Sequence, residues 1–144
     1  ALTGNETVLE IGSGSGYQAA ILARLAKLVV SVEIIPELVQ AAKDNLAREN
    51  IKNVEVYQAD GFKGWMESAP FARFFNTASA NRSPAALIAQ LNSPGKLIAP
   101  IGPRSKQCFV LLEKIPNPPT PPKIKQRDLI SVMFVPMRGE IEKS

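Results

Sequence analysis

The sequence predicts an α/β fold in one domain spanning residues 1–144, with a mostly parallel twisted sheet, helices on both faces and an antiparallel strand pair at the C-terminal end. Three observations predict this class. Strand-like runs alternate with Ala- and Leu-rich helical runs through the first two thirds of the chain. The connections between these runs are short, and right-handed crossovers are expected. Two further strand-like runs then follow without a helical run between them, which is typical of an antiparallel pair.

The first half of the chain contains three expected strands and two expected helices. The strands are short and β-branched, and they span residues 7–11, 28–33 and 54–58. An Ala- and Leu-rich helix is expected from Tyr17 to near Lys27. A second helix is expected to begin at Pro36, because a first helical turn does not need the missing amide hydrogen, and to end near Asn50.

The second half begins with a turn-rich stretch, ADGFKGWMESAP, and then returns to strands. A fourth strand is expected at residues 71–77, a short helix at 84–91, and a fifth strand, KLIAPIG, from Lys96 after an SPG turn. Residues 107–115 and 129–137 are expected to form the antiparallel pair at the edge of the sheet. The run PNPPTPP between them is too proline-rich for a helix or a strand ladder.

The composition is that of an ordinary globular protein, and it excludes several kinds of chemistry. The chain has no His and a single Cys, Cys108, so it holds no Ser-His-Asp or Cys-His mechanism, no His-ligated metal and no internal disulfide. We therefore expect no metal site and a reducing, cytoplasmic setting. No apolar run approaches the roughly 20 residues that span a bilayer, so no membrane association is expected.

The net charge of +4 is unevenly distributed along the chain. Residues 1–72 carry a net charge of −3 and residues 73–144 carry +7. We interpret the basic half as a solvated face, to which Lys123, Lys125 and Arg127 belong. The alternative is attraction to an acidic partner, either a carboxylate-bearing peptide or a nucleic acid. Nucleic acid is disfavoured because the basic half lacks interleaved aromatic residues and glycine-arginine repeats.

A glycine-rich turn, EIGSGSG, lies directly between the first strand and the first helix, at residues 10–16. Glycines there allow a tight turn and a close approach of a ligand to the backbone, and the following helix offers free amides at its positive end. Such turns often serve only the strand-to-helix geometry. Here, however, Glu33 ends the second strand, where a carboxylate can accept both ribose hydroxyls of a nucleoside.

A third candidate group stands at the end of the third strand. Asp60 precedes Gly61 there, and an aspartate at this place can reach an adenine amino group. Because the carboxyl ends of parallel strands meet at one edge, the turn, Glu33 and Asp60 are expected to form one nucleoside-cofactor site. The glycine spacing differs from the dinucleotide fingerprint, whose third Gly would fall at Tyr17.

The spacing Gly12-x-Gly14-x-Gly16 after Glu10 instead resembles the E/D-x-G-x-G-x-G motif of class I S-adenosylmethionine-dependent methyltransferases. Further segments resemble one family among them, the protein-L-isoaspartate O-methyltransferases. These segments are, in order, VLEIGSGSGYQAAILARL, SVEIIPEL, DGFKGW, LIAPIG and RDLISVMFVPMRG. The resemblance extends over nearly all of the chain.

The resemblance implies a Rossmann-like class I methyltransferase fold and the cofactor S-adenosylmethionine, which leaves as S-adenosylhomocysteine. It implies methyl transfer to the free carboxylate of L-isoaspartyl residues in damaged peptides or proteins, which is a repair reaction. The ammonium of the cofactor's methionine part is expected to use the Glu10 carboxylate. The predicted cofactor-binding residues are Glu10, Gly12, Ser13, Gly14, Ser15, Gly16, Glu33, Asp60 and Gly61.

The sequence also departs from the family pattern at its beginning. The family carries a segment ahead of the first strand that covers the substrate and supplies a hydroxyl at the carboxylate, whereas this chain begins at Ala1, almost at that strand. We therefore assign no catalytic residue and expect impaired transfer by the 144 residues. Two alternatives stay open: a cofactor-binding but inactive protein, and a class I methyltransferase for another acceptor, such as RNA.

The fourth strand departs as well. The family pattern resembles F-D-A-I-I-V-T-A, and this chain has FARFFNTA from Phe71, with Ala72, Arg73 and Asn76 at the altered positions. Polar groups are costly in a central strand, so Arg73 is expected to extend from the strand start and Asn76 to lie at the wet cofactor end. The less favoured alternative is a contact of Asn76 with cofactor or substrate. Ser79 is expected to be a solvated loop residue.

Overall fold

The computed structural model describes residues 2–80, 85–103, 105–116 and 123–139. The helices of this part are α1 (Tyr17–Ala23), α2 (Pro36–Arg48) and α3 (Ala85–Ala89), with short 3₁₀ turns at Gly61–Lys63 and Met66–Ser68. Its strands are β1 (Thr7–Ile11), β2 (Leu28–Glu33), β3 (Val54–Gln58), β4 (Phe71–Asn76), β5 (Leu91–Ile101), β6 (Gln107–Ile115) and β7 (Lys123–Val132).

The strands form one sheet in the order β3-β2-β1-β4-β5-β6-β7. The first five strands in this order are parallel to one another, while β6 is antiparallel to β5 and β7 is antiparallel to β6. This confirms the predicted mostly parallel sheet with an antiparallel pair at its C-terminal end. The sequence order reverses direction between β1 and β4, which is where ligands bind in open α/β sheets.

Helices cover both faces of the sheet, as predicted. The residues Ala19 of α1 and Ala42 of α2 pack with Val8 and Val29 on one face. On the other face, Leu87 of α3 packs in a second cluster with Phe74, Leu97 and other residues of the central strands. Within the residues that the structure describes, no helix is long and apolar enough to cross a membrane.

The helix α1 ends at Ala23, four residues before the predicted end near Lys27. The chain must turn early, because the amides of Lys27 and Leu28 donate to the carbonyl of Glu6 and lead into β2. The side-chain amide of Asn53 donates to the carbonyls of Ala23 (2.8 Å) and Ala26 (3.2 Å). A side chain 30 residues away thus satisfies carbonyls at the helix end.

The prediction for residues 84–96 was partly wrong. The helix α3 is shorter than predicted, Leu91 already belongs to β5, and Pro84 lies outside the described residues. The SPG turn does not precede the strand but interrupts it: Leu91 pairs with Phe71, and Lys96 pairs with Arg73. The Ser-Pro-Gly residues, which usually form a turn, therefore produce an irregularity in the pairing of a longer strand.

The last strand was predicted at residues 129–137 but spans Lys123–Val132. It lies at the sheet edge, and nearly all of its side chains are exposed, so the apolar periodicity that identifies a strand is missing from its first half. The exposed cations Lys123, Lys125 and Arg127 do form a solvated edge, as interpreted from the sequence. The apolar residues after Val132 instead cross the carboxyl edge of the sheet.

Candidate functional site

A cavity of about 610 Å³ opens at the carboxyl ends of β1, β2 and β4. It lies where the strand order changes direction, as expected for a ligand site in this architecture. Its volume is within the range of about 300–1,000 Å³ that is usual for small-molecule sites. The lining residues are Ile11, Gly12, Gly14, Glu33, Ile34, Ile35, Leu38, Gly61, Thr77, Ala78, Val135, Pro136, Met137 and Arg138.

The glycine-rich turn begins at Gly12, which has a φ of 91°. A Cβ added at this residue would lie 2.5 Å from Oγ1 of Thr77. That hydroxyl is held in place by the carbonyls of Ile11 and Gly12, each at 2.9 Å. The left-handed backbone and the close approach of Thr77 both require glycine here. Thr77 was not among the predicted site residues, although its place directly after β4 and the family-like run that begins at Thr77 were signals for it.

The carboxylate of Glu33 is fixed by backbone amides beside the turn. It accepts hydrogen bonds from Gly14 at 3.1 Å, from Ile34 at 2.9 Å and from Ile35 at 3.1 Å. Among the described residues, the Oε2 atom of Glu33 accepts from Gly14 alone, so it has acceptor capacity left, and Glu33 is one of the residues that line the cavity. These hydrogen bonds therefore fix the orientation of the Glu33 carboxylate before any ligand binds.

Glu10 lies beneath the turn and not among the residues that line the cavity. It is fully buried, and it accepts a hydrogen bond from the hydroxyl of Ser31, whose oxygen lies 2.6 Å from the hydroxyl oxygen of Ser13. Its other oxygen, Oε1, has no hydrogen-bond partner among the residues that the structure describes. Burial raises the pKa of Glu10 to about 7, against a lowering by the Ser31 hydrogen bond and with a small addition from the Glu33 charge.

The pKa of Glu10 predicts how stability changes with pH. The folded protein holds this proton up to about pH 7, whereas the usual pKa is 4.5, so between these values the folded state binds more protons than the unfolded state. Rising pH across this window should lower the free energy of unfolding by up to about 3 kcal/mol. In urea unfolding, Glu10→Gln is expected to lose this decline, because the amide stays neutral. An equal decline in wild type and variant would contradict the prediction.

Asp60 and Gly61 stand at the third strand end but differ in their relation to the cavity. Gly61 lines it and packs against the side chain of Ile11 so closely that a Cβ would overlap it. Asp60 accepts a hydrogen bond from the amide of Phe62 at 2.9 Å and begins the first 3₁₀ turn. Gly139 passes directly over the Asp60 carboxylate, with no room for a side chain.

The remaining predicted residues lie around the turn. A Cβ added at Gly16 would lie only 3.3 Å from backbone atoms of Ala42, and its φ of 83° lies in the left-handed region that favours glycine. Ser15 and Gly16 border a second groove, of about 450 Å³, between α1 and α2. The structure thus brings Gly12, Gly14, Glu33 and Gly61 together on the main cavity. It leaves Glu10, Ser13, Ser15, Gly16 and Asp60 outside the lining.

Two expectations for the end of β4 were wrong. Asn76 is not at a wet edge, because the residue is only 1% exposed. Its Oδ1 accepts from the amide of Ala78, and its Nδ2 has no partner within the described part of the chain. Ser79 is not solvated but buried, because it contacts the segment after β7. The sequence pattern could not show this segment returning over the strand ends, so its contribution to the cavity, from Val135 to Arg138, was also missed.

Comparisons with known proteins agree with this geometry. A family model described as "Protein-L-isoaspartate(D-aspartate) O-methyltransferase" matches residues 1–142. A protein-L-isoaspartate O-methyltransferase of Myxococcus xanthus is 42% identical over 140 residues, which is 96% of this chain and 65% of the relative. One of Methanoculleus marisnigri is 43% identical over 136 residues, covering 94% and 60%. The chain therefore spans less than two thirds of the length of these relatives.

Solved structures give the same result. One named protein-L-isoaspartate O-methyltransferase superimposes with a TM-score of 0.87 at 31% identity, covering 97% of this chain and 44% of that one. A Plasmodium falciparum structure, titled as a putative member in complex with S-adenosyl-L-homocysteine, has a TM-score of 0.72 at 23% identity and covers 92% and 66%. This chain has the Rossmann-like class I methyltransferase fold and belongs to the protein-L-isoaspartate O-methyltransferase family.

Proposed function

We propose that the main cavity binds S-adenosylmethionine and that the protein transfers its methyl group to the free carboxylate of L-isoaspartyl residues in damaged proteins. The observation that carries the proposal is the Glu33 carboxylate, fixed beside the glycine-rich turn and facing a cavity of about 610 Å³. Membership of the family supports the choice of this cofactor over other nucleosides. The partners are isoaspartyl-containing peptides or proteins.

The residues present fit this cofactor. Glu33 has acceptor capacity left for the ribose hydroxyls. A Cβ at Gly14 would meet no atom of the other described residues, apart from its chain neighbours, within 4 Å, so the turn is open to a ligand there. Apolar side chains of Ile34, Ile35 and Leu38 suit the face of an adenine ring. The cavity therefore offers both the polar and the apolar surface that a nucleoside needs.

The predicted residues outside the lining receive less direct roles. Glu10, buried beneath the turn, is proposed to attract the cofactor's ammonium electrostatically in its ionised form, which the free protein adopts above about pH 7. Ser13, Ser15 and Gly16 are proposed to set the path of the turn, and Asp60 to hold the adenine end together with Gly61. All of these roles stay proposals.

The chemistry places few demands on the chain's own side chains. Bound S-adenosylmethionine supplies a methyl group that is already activated by its sulfonium, and a carboxylate is already a nucleophile. The protein then has to align the two groups and exclude water, which needs no general acid or base. This agrees with a sequence that contains no His. A single cysteine, Cys108, supports the cytoplasm as the proposed compartment.

A transfer assay tests the proposed activity. We expect radiolabelled methyl from S-adenosylmethionine to enter, at a low rate, a peptide with one L-isoaspartyl residue and not the same peptide with normal aspartate. Cofactor binding without transfer to either peptide would instead favour the inactive cofactor-binding protein. Transfer to RNA and not to the isoaspartyl peptide would contradict the proposed substrate.

A further inference from the structure

The segment from Phe134 to Met137 follows β7 and lies outside the strands of the sheet, and its residues Val135, Pro136 and Met137 form a wall of the cavity. It is attached to the strand ends by Ser79. The amide of Ser79 donates to the carbonyl of Val135 at 2.9 Å, and the amide of Met137 donates to the carbonyl of Ser79 at 2.9 Å. Ser79, which lies between β4 and α3, therefore holds this segment against the strand ends through two backbone hydrogen bonds.

A buried glutamine completes the attachment. Gln107, the first residue of β6, is 3% exposed. Its Nε2 donates to the carbonyl of Phe134 at 3.1 Å and to Oγ of Ser79 at 2.9 Å, and its Oε1 accepts from the amide of Phe134 at 2.6 Å. Both amide hydrogens and the carbonyl oxygen are thus used, and they join Ser79 to the wall.

The chemistry of this position is specific to glutamine. The group must donate twice and accept once in a buried place, which a primary amide does and a carboxylate does not. Asparagine has the same amide, but its side chain is one methylene shorter. Phe134 also stacks on Phe109, the residue two positions after Gln107, with ring centroids 5.7 Å apart. The wall is thus fixed in the free protein by contacts that lie outside the cavity.

We propose that Gln107 is a positioning residue for the cofactor: it holds residues 134–137 in the conformation that closes the cavity, without touching the ligand itself. The inference rests on the proposed function of the cavity. A wall that is ordered in advance does not have to be ordered when the ligand binds. If loss of the clamp leaves the wall correctly placed in only about a tenth of molecules, the apparent affinity falls about tenfold.

Two variants test the proposal by calorimetric titration with S-adenosylhomocysteine. Gln107→Ala removes the clamp, and about tenfold weaker binding is expected at every pH. Gln107→Glu keeps the shape but removes both donors at about pH 8, with a similar loss expected. Near pH 5.5 a buried glutamic acid is protonated and regains one donor, so the affinity of Gln107→Glu relative to wild type at the same pH should recover.

Gln90 provides a matched control. It is equally buried, its Nε2 donates to the carbonyl of Lys63 at 2.7 Å, and its Oε1 accepts from the amide of Trp65 at 2.8 Å. It therefore clamps a segment in the same way but outside the cavity lining. Gln90→Ala should lower stability while leaving the affinity within about twofold of wild type. Equal losses of affinity in Gln90→Ala and Gln107→Ala would overturn the positioning role, as would wild-type affinity in both Gln107 variants.

Amide hydrogen exchange tests the clamp in the free protein, without a ligand. In Gln107→Ala the amides of Phe134 and Met137 should exchange faster than in wild type, while those near Trp65 should not. Unchanged exchange at Phe134 would overturn the clamp even if the cofactor binds normally. If wild type binds no S-adenosylhomocysteine, the proposed function fails and the inference fails with it, whatever the exchange rates show.

Discussion

Replacing Glu33 by alanine should weaken the binding of S-adenosylhomocysteine about tenfold, or about 1.4 kcal/mol. The carboxylate is held by three backbone amides and lines the cavity, so it is already oriented for the ribose hydroxyls. In the variant, the ribose hydroxyls would lose their hydrogen bonds to water on binding and would find no carboxylate acceptor in exchange. Calorimetric titration of wild type and variant at the same pH measures the difference directly.

A control has to separate this contact from a general effect of removing charge. Glu37 is an exposed acid in the first turn of α2, close in sequence but outside the cavity lining. Glu37→Ala makes the same change of charge and should keep the affinity within about twofold of wild type. Similar losses of affinity in both variants would show that the effect comes from the net charge of the protein and not from a contact of Glu33. Equal affinity of Glu33→Ala and wild type would remove Glu33 from the site.

Gly12→Ala should lower the free energy of unfolding by about 2–4 kcal/mol, because two costs combine. The backbone φ of 91° is strained for any residue with a Cβ. The new methyl group would also displace the Thr77 hydroxyl from the carbonyls of Ile11 and Gly12. Urea unfolding, monitored by circular dichroism, gives the loss.

Two further variants separate these costs. Gly4 has nearly the same φ, 92°, and a Cβ added there would meet no atom within 4 Å, so Gly4→Ala should show the backbone strain alone, about 1 kcal/mol. Thr77→Ala removes the displaced hydroxyl, and the nearest remaining atom is then Cβ at 3.8 Å. The double variant should therefore lose less than the sum of the single losses, by about 1 kcal/mol. Strict additivity would show that Thr77 and Gly12 are not coupled.

Local sequence determined most of the parallel half of the fold. The strands at residues 7–11, 28–33 and 54–58 were predicted with the observed bounds, because they are rich in β-branched residues and bounded by turn residues. The errors lie where contacts with residues distant in sequence determine where a helix or strand begins or ends. The side chain of Asn53 donates a hydrogen bond to a carbonyl at the end of α1. The strand β7 lies at the sheet edge, and its exposed residues show no apolar periodicity. Neither effect can be read from a local window.

The candidate site divides in the same way. Glu33 and the glycine turn follow from their places at strand ends, since parallel strands bring those ends to one edge. The roles of Thr77, Ser79 and Gln107 depend on a segment that returns over this edge from the far end of the chain. The burial of Glu10 was equally hidden, because the sequence does not show which face of β1 an acid will occupy at the strand end.

The central claim is that this chain carries a working S-adenosylmethionine site. The most direct measurement is a calorimetric titration of the folded 144-residue chain with S-adenosylhomocysteine, using NAD as the control ligand. We expect micromolar binding of the first, of the order of 8 kcal/mol, and no binding of NAD. Absence of binding by either ligand, from a sample shown to be folded, would contradict the claim and leave family membership without a functioning site.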